Sequence, residues 1–356
     1  MRRSLCGPWT LLAALTGVAA GCDTPSSTVD TTDLQGVFDG DAGTRSSNSA
    51  ATPPTRRGQP SALVVQTSER PPTTDPGCVK ERGQPDGEVL RVVGRPACRA
   101  AEVMEWTDPS GAPRYACLYK PPGEVRGELP LVVFFHGTGP ELDDPSSFAK
   151  LTSLRSKQAT ANLTGNPERP GFLVLGIQGR AIAKSKWGTT FDTAYVASDN
   201  LDRIATDHFV DELVGRGMID KRRIYALGFG RGGQMAATYA MLRADRVAAF
   251  VNFAPWSDPA EWTCPTPPPP GLVLYRACDA IAKCDQVESW LASRETLRAE
   301  TLKLRLGDDV REEPNCAVSP QCTAKKGEAN HHRWPKGREK DVLNFLGAHS
   351  LALQPD

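Results

Sequence analysis

A short apolar strand, a run of glycines and a helix follow one another without a break in the second half of this chain. Ile224–Leu227 is apolar and partly β-branched, as buried strands are. Residues 228–233 read GFGRGG, and Gln234–Ala240 carries apolar side chains at helical spacing. Because glycine has no Cβ, backbones can pass closely at such a turn. The stretch therefore predicts a strand that turns sharply into a helix, as happens where helices cover a parallel sheet.

The rest of the sequence repeats this alternation, and no internal repeat is visible. Short apolar runs predict strands, and apolar stripes at helical spacing predict helices. The predicted strands are residues 114–120, 129–135, 172–177, 247–253 and 272–275, and the predicted helices are residues 201–213, 286–298 and 339–349. The sequence thus predicts an α/β fold with a mostly parallel sheet and helices on both faces.

The glycine turn also has the spacing of a catalytic motif. In a nucleophile elbow, G-x-S-x-G, a strained turn exposes the central serine hydroxyl at the top of the sheet. Here Gly228 and Gly232 occupy the outer positions and Gly230 occupies the centre, so the turn is kept and the hydroxyl is absent. The alternative is a plain glycine-rich loop, for instance one that binds phosphate, because a lone glycine pattern is weak support for any function.

The first residues have the features of a bacterial export signal. Arg2 and Arg3 precede the apolar segment Leu11–Ala20, which is too short to span a bilayer as a mature helix. The segment runs through Ala-Ala-Gly into Cys22, which resembles the lipobox of lipoproteins. Residues 1–21 are therefore predicted to be a lipoprotein signal peptide. The acyl chains on Cys22 would anchor the protein in the cell envelope, on its periplasmic or surface side. The alternative is an ordinary secretory signal with an incidental cysteine.

Residues 22–75 are rich in Ser, Thr, Pro, Gly and Asp and poor in apolar side chains. Such a segment cannot bury enough apolar surface to offset its conformational entropy, so it is predicted to be a disordered tether. Residues 76–356 are then predicted to form the α/β domain. The 42 basic and 42 acidic side chains balance, which argues against a nucleic-acid partner held by charge.

Eight cysteines lie in the predicted domain, since two of the ten, Cys6 and Cys22, belong to the signal and the lipid anchor. An even number in an exported protein implies disulfides. Short separations favour three of the many pairings: Cys278–Cys284, Cys316–Cys322 and Cys78–Cys98. No CxxC pair occurs and the histidines are not clustered with cysteines, so no metal and no other cofactor is predicted.

From about Glu105 onwards the sequence resembles the secreted esterases of the polyhydroxybutyrate depolymerase-like group, which are α/β-hydrolases related to feruloyl and acetyl-xylan esterases. Five segments match in order: TDPSGAPRYACLYKPPG, LPLVVFFHGTG, DKRRIYALGFGRGG, LVLYRACD and HHRWP. They resemble the opening strand pair, the oxyanion turn, the elbow without its serine, the strand before the triad acid, and the segment with the triad histidine. The resemblance implies an α/β-hydrolase fold and hydrolysis of carboxylic esters.

The same resemblance implies roles for individual residues. Gly230 matches the nucleophile, Asp279 the acid and His332 the base. The backbone amides of Thr138 and Arg231 match the oxyanion hole. The alternative interpretations are a turn carboxylate at Asp279 and a surface histidine at His332.

The missing hydroxyl leaves two hypotheses of different classes. In the first, the protein is a lipid-anchored, catalytically inactive esterase scaffold that keeps a cleft for an ester, acyl or saccharide ligand. In the second, it is an active ester hydrolase, in which His332 and Asp279 activate water or an unrecognised nucleophile acts. Removing the serine of a well-studied triad protease costs about 10⁶ in turnover, which favours inactivity. A Ser→Gly change in the sequenced gene would also produce this pattern.

The lipobox interpretation predicts the effect of Cys22→Ala. The variant should leave the membrane fraction or accumulate as an unprocessed precursor, because the acylated residue is gone. Fractionation and electrophoretic mobility check this. Wild-type behaviour in both would rule out a lipid anchor at Cys22.

Overall fold

The computed structural model describes residues 68–72, 76–85, 89–123, 127–139, 145, 151–182, 188–255, 260–316 and 322–352. The predicted signal peptide, Cys22 and most of the predicted tether lie outside these residues. Within the described part of the chain, no helix combines the length and the apolar character needed to cross a bilayer.

Strands and helices alternate along the described chain. The strands are β1 (Ser68–Arg70), β2 (Val79–Lys80), β3 (Val89–Arg91), β4 (Glu102–Thr107), β5 (Pro113–Tyr119), β6 (Leu129–Phe135), β7 (Leu173–Ile177), β8 (Ala181–Ile182), β9 (Ile219–Phe229), β10 (Val247–Phe253), β11 (Glu261–Trp262), β12 (Gly271–Arg276), β13 (Thr301–Leu306) and β14 (His349–Leu351). The helices are α1 (Thr152–Arg155), α2 (Leu201–Gly215), α3 (Arg231–Leu242), α4 (Cys284–Thr296), α5 (Ala324–His331) and α6 (Glu339–Gly347), with a 3-10 turn at Pro76–Cys78. Each element predicted from the sequence has a counterpart here.

Eight strands form the main sheet, in the order β4-β5-β7-β6-β9-β10-β12-β13. β5 runs antiparallel to both of its neighbours, β4 and β7. Every other neighbouring pair in this sheet is parallel. This strand order, with one crossover that places β7 before β6, is that of the α/β-hydrolase fold, as the sequence predicted. The remaining pairs are small: β1 with β14, β2 with β11, and β3 with β8.

Helices cover both faces of the sheet because the side chains of its central strands alternate between two apolar cores. Leu131, Val133 and Phe135 of β6 pack in one core with side chains of α2, α3 and α4. Val132 and Phe134 pack in the other core with side chains of α1 and α6. Successive side chains of a strand point to opposite faces, so a continuous apolar run such as LPLVVFF is buried on both.

The folded domain already includes residues 68–70. β1 pairs in parallel with β14, with Arg70 opposite Leu351. The Arg70 guanidinium donates hydrogen bonds to the carbonyl oxygens of Ala244 at 2.8 Å and Val247 at 3.0 Å. Ser68–Arg70, which the sequence analysis assigned to the tether, therefore belongs to the domain.

The domain cysteines form four disulfides: Cys78–Cys264, Cys98–Cys117, Cys278–Cys322 and Cys284–Cys316. The three pairs favoured by short separation are all wrong. Cys278 follows β12 and Cys284 begins α4, and both are bonded to the segment that leads into α5. Separation along the chain misleads here because the fold brings distant segments together at this point.

Loop length predicts how much two of these disulfides stabilise the domain. Cys78–Cys264 joins residues 186 apart and Cys98–Cys117 joins residues 19 apart. In the chain-entropy account, the longer loop constrains the unfolded chain by about 2 kcal/mol more. Urea unfolding of the two Cys→Ala double variants should therefore show the larger loss for Cys78→Ala/Cys264→Ala. An equal or smaller loss for that variant would contradict the prediction.

Candidate active site

β9 and α3 meet at a turn centred on Gly230. Its backbone has φ 55° and ψ −120°, a conformation that residues with a Cβ rarely adopt. The Gly230 amide donates a hydrogen bond to the carbonyl oxygen of Phe253, the last residue of β10, at 2.8 Å. The Gly230 carbonyl accepts one from the Gln234 amide in α3 at 3.1 Å. The turn is therefore fixed at the carboxyl edge of the sheet.

The outer glycines of the turn allow backbones to touch. A Cβ on Gly232 would lie 2.1 Å from the carbonyl oxygen of Phe135 and 2.2 Å from that of His136. A Cβ on Gly228 would lie 2.0 Å from the carbonyl oxygen of Gly232. Neither position has space for a side chain, so α3 begins directly against the end of β6.

Asp279 lies three residues beyond β12, at the same edge of the sheet. Its carboxylate is completely buried. Oδ1 accepts hydrogen bonds from the backbone amides of Ile281 and Ala282, both at 2.8 Å. These two bonds fix the orientation of the carboxylate.

His331, the last residue of α5, is hydrogen-bonded to this carboxylate. Its Nδ1 lies 3.0 Å from Oδ2 and 3.2 Å from Oδ1 of Asp279, and the ring is buried. Because Nδ1 faces a carboxylate, it carries the proton and donates it. In the neutral ring the acceptor lone pair is then on Nε2.

The sequence analysis assigned this position to His332, and the structure corrects that assignment. Neighbouring residues of a helix point about 100° apart, so only one of the two histidines can face Asp279. His331 does so, whereas the side chain of His332 is exposed at the end of α5.

Gly327, four residues before His331, and Asn330, its neighbour, determine which histidine turns inwards. A Cβ on Gly327 would lie 2.8 Å from the amide nitrogen of Ala280, so α5 packs directly on the loop that carries the acid. The Asn330 side-chain amide donates to the carbonyl oxygen of Cys278 at 2.9 Å and to Asp308 Oδ1 at 2.8 Å. Residues three and four apart share a helix face, so this packing directs His331 to the acid loop. Sequence reasoning missed Gly327 and Asn330, whose partners are distant in the chain.

Gly230 and the imidazole of His331 face each other. A Cβ placed on Gly230 would lie 3.5 Å from Nε2 of His331 and 4.0 Å from its Cε1, which is ordinary contact distance. The ring of Phe229 packs against His331, with 5.4 Å between centroids. The structure therefore brings together Gly230, His331 and Asp279, with the histidine in the middle.

Thr138 and Arg231, the residues predicted for the oxyanion hole, follow neighbouring strands. Phe135 of β6 lies opposite Gly228 of β9 in a parallel pair, and each predicted residue comes three positions later. Arg231 opens α3, and the first amides of a helix have no partner within the helix. Both backbones are thus at the edge of the sheet where Gly230 lies.

His136 supports the turn after β6 from inside. Its Nε2 accepts a hydrogen bond from the Gly179 amide at 2.9 Å, so Nδ1 carries the proton and donates to the Gly137 carbonyl oxygen at 2.6 Å. Complete burial lowers the pKa of His136 to about 4, so the ring is neutral at physiological pH. This histidine is structural.

The described ranges between residues 68 and 352 contain no candidate metal-binding site. No three His, Cys, Asp or Glu side chains of these ranges form a group that could hold a metal ion. The carboxylate and imidazole at the site are already bonded to each other.

The strand order, the glycine turn and the buried acid–histidine pair define a protein with the α/β-hydrolase fold. No protein-family model matches the chain. A stretch of 130 residues is 30% identical to "Putative esterase NocK" of Nocardia uniformis subsp. tsuyamanensis, and it covers 36% of this chain and 38% of that protein. The chain thus matches well under half the length of this curated relative.

Part of the chain is similar to solved esterase structures at low sequence identity. The crystal structure of a thermostable esterase has a TM-score of 0.49 and 17% identity, covering 71% of this chain and 64% of the esterase. Esterase Est2 of the planctomycete Thermogutta terrifontis has a TM-score of 0.45 and 15% identity, covering 62% of this chain and 86% of Est2.

The packing of the turn predicts a contrast between two Gly→Ala substitutions. Gly230→Ala meets no steric clash and should cost about 1–3 kcal/mol of unfolding free energy for its backbone conformation. Gly232→Ala drives a methyl group into the backbone of β6, so its cost should exceed about 3 kcal/mol. Denaturant unfolding of both variants measures this. A Gly232→Ala protein as stable as Gly230→Ala would contradict the close approach.

Proposed function

We propose that this chain is an exported, lipid-anchored protein on an esterase scaffold, in which Gly230 has replaced the nucleophile and an ester or acyl ligand is bound without being cleaved. Within the α/β-hydrolases we place it in the polyhydroxybutyrate depolymerase-like group, on the strength of the matching segments along the chain. Its location would be the bacterial cell envelope, with the domain held there through lipidated Cys22.

One observation carries this proposal: Gly230 is adjacent to Nε2 of a histidine whose Nδ1 is bonded to a buried aspartate. In a serine triad, the acid orients the histidine and Nε2 takes the proton from the nucleophile. The distance of 3.5 Å from the Gly230 Cβ position to Nε2 would place a serine hydroxyl within reach of the ring. The order along the chain, 230, 279 and 331, is nucleophile, acid and base, as in α/β-hydrolases.

The same geometry accounts for the expected lack of turnover. Glycine offers no oxygen to attack an ester carbonyl, so an acyl-enzyme cannot form at this position. The amides of Thr138 and Arg231 would still hold a carbonyl oxygen, because oxyanion stabilisation uses the backbone. What remains on this scaffold is recognition of an ester or acyl group.

A second candidate function is hydrolysis by water. The acid–histidine pair is complete, and the missing side chain leaves space beside Nε2 that a water molecule could occupy. His331 would then remove a proton from that water while the oxyanion-hole amides hold the ester carbonyl. In this case the wild-type protein hydrolyses esters slowly, and His331→Ala abolishes the activity.

The test is to restore the hydroxyl with Gly230→Ser. Wild-type protein should hydrolyse p-nitrophenyl acetate at the background rate, and Gly230→Ser should hydrolyse it well above background. The substitution should lower the free energy of unfolding by about 1–3 kcal/mol, because serine is less favourable than glycine in the backbone conformation of the turn. The fold should tolerate this loss. Release of p-nitrophenol measures the rate.

The two adjacent histidines provide the matched control. In the Gly230→Ser background, His331→Ala should lower the rate of p-nitrophenyl acetate hydrolysis by about 10² or more, because it removes the general base. His332→Ala in the same background should cost far less, since its exposed ring does not face Asp279. A folded but inactive Gly230→Ser protein would contradict the proposed site. A wild-type rate that depends on His331 would favour the water mechanism.

A further inference from the structure

A cleft of about 420 Å³ is lined in part by His332, the residue that follows His331 of the candidate active site. The rings of His332 and His331 are 5.2 Å apart between centroids, and Phe229 packs near both. His332 lines the cleft, whereas His331 faces Asp279 and Gly230. The lining of the cleft therefore begins at the residue next to the histidine that faces Gly230.

The lining of the cleft is cationic. Arg333 and Lys336 contribute to it, both are exposed, and within the described residues neither forms an ion pair. Among the described residues, the only carboxylate in the lining is that of Asp309, which is hydrogen-bonded to the Arg311 guanidinium. Burial, together with the neighbouring His331, lowers the pKa of His332, so that ring is mostly neutral near pH 7. The charge of the cleft is therefore set by Arg333 and Lys336.

A third cation supports the wall of the cleft from beneath. The Arg276 guanidinium is almost completely buried and donates to the carbonyl oxygens of Gly307 at 2.8 Å and Arg333 at 3.1 Å. Its Nε has no hydrogen-bond partner. Asp308 and Asp279 attract the guanidinium electrostatically, but among the described residues it forms no ion pair. A buried cation without an ion-pair partner contributes positive potential to the surface above it.

We propose that this cleft binds an anionic group, a carboxylate or a phosphate, at the far end of the ligand whose ester or acyl part lies against His331. The inference rests on the proposed function for the position of the ester, and it adds the chemical class of the ligand. Arg333 and Lys336 would bind the anion, and the apolar side chains of Val310 and Trp334 would pack against the connecting chain.

Binding to the wild-type protein tests the cleft without any chemistry at Gly230. Calorimetry should show that monomethyl glutarate binds several-fold more tightly than methyl valerate, a neutral ester of the same length, and that the preference falls as salt is added. Inorganic phosphate provides the second anion, and the tighter of the two anions identifies the group that the cleft prefers. Equal affinity for the neutral and both anionic probes would overturn the proposal.

Substitution of Arg333 and Lys336 shows whether their charges are responsible for the preference for anions. Arg333→Gln/Lys336→Gln should weaken binding of the preferred anion by roughly two- to twentyfold, as expected for two exposed ion pairs. Lys325→Gln/Lys340→Gln removes the same charge from exposed positions outside the cleft and should keep the preference. Similar losses in the two double variants would mean that only the overall charge matters, and the cleft would be rejected.

The rescued enzyme separates this inference from the proposed function. In Gly230→Ser, mono-p-nitrophenyl glutarate should have a lower KM than p-nitrophenyl valerate, and Arg333→Gln/Lys336→Gln should remove the difference. An active Gly230→Ser protein without this difference would refute the anion site and leave the proposed function standing. An inactive Gly230→Ser protein with charge-dependent binding of the anions would refute the proposed function and leave the cleft standing.

Discussion

The contact between the start of α3 and the carboxyl ends of β6 and β9 is the constraint on which the site depends. It is a contact of backbone with backbone: a Cβ on Gly232 would lie 2.1 Å from the Phe135 carbonyl oxygen, and one on Gly228 would lie 2.0 Å from the Gly232 carbonyl oxygen. Only glycine fits such positions. Because α3 starts so close to the sheet, Gly230 is held at its edge, where the ends of the neighbouring strands bring their loops.

The acid and the histidine reach that edge by a different route, from loops that the disulfides hold together. Cys278 precedes Asp279 and is bonded to Cys322, just before α5, while Cys284 is bonded to Cys316. Asn330 adds a hydrogen bond from α5 to the Cys278 carbonyl oxygen at 2.9 Å. These links restrict the conformational freedom of the long connection between Asp279 and α5. The buried Asp279–His331 hydrogen bond therefore forms between groups that are already positioned.

Under the proposed function, Gly230 separates two properties that a serine elbow combines, namely the strained turn and the nucleophile. The turn keeps its unusual backbone conformation at low cost, because glycine tolerates φ 55°. The nucleophile would be lost, while the histidine, the aspartate and the backbone amides around the turn would stay in place. A protein of this kind retains the shape that recognises an ester. The cationic cleft lined by His332 would then add selectivity for ligands with a negative charge at a distance from that ester.

The sequence by itself determined the fold class and the position of the turn. Continuous apolar runs such as Leu129–Phe135 encode burial on both faces, and the glycine spacing at 228–233 encodes a close approach, because both are local properties of the chain. The strand that precedes Asp279 could be predicted for the same reason. Tertiary structure decided which of two adjacent histidines meets the acid, since His331 and His332 differ only in the direction that α5 gives them. It also decided the disulfide pairs and the pairing of Ser68–Arg70 with β14, because those contacts join segments far apart in the chain. Local patterns carry no information about such partners, whose proximity follows only from the packing of the whole domain.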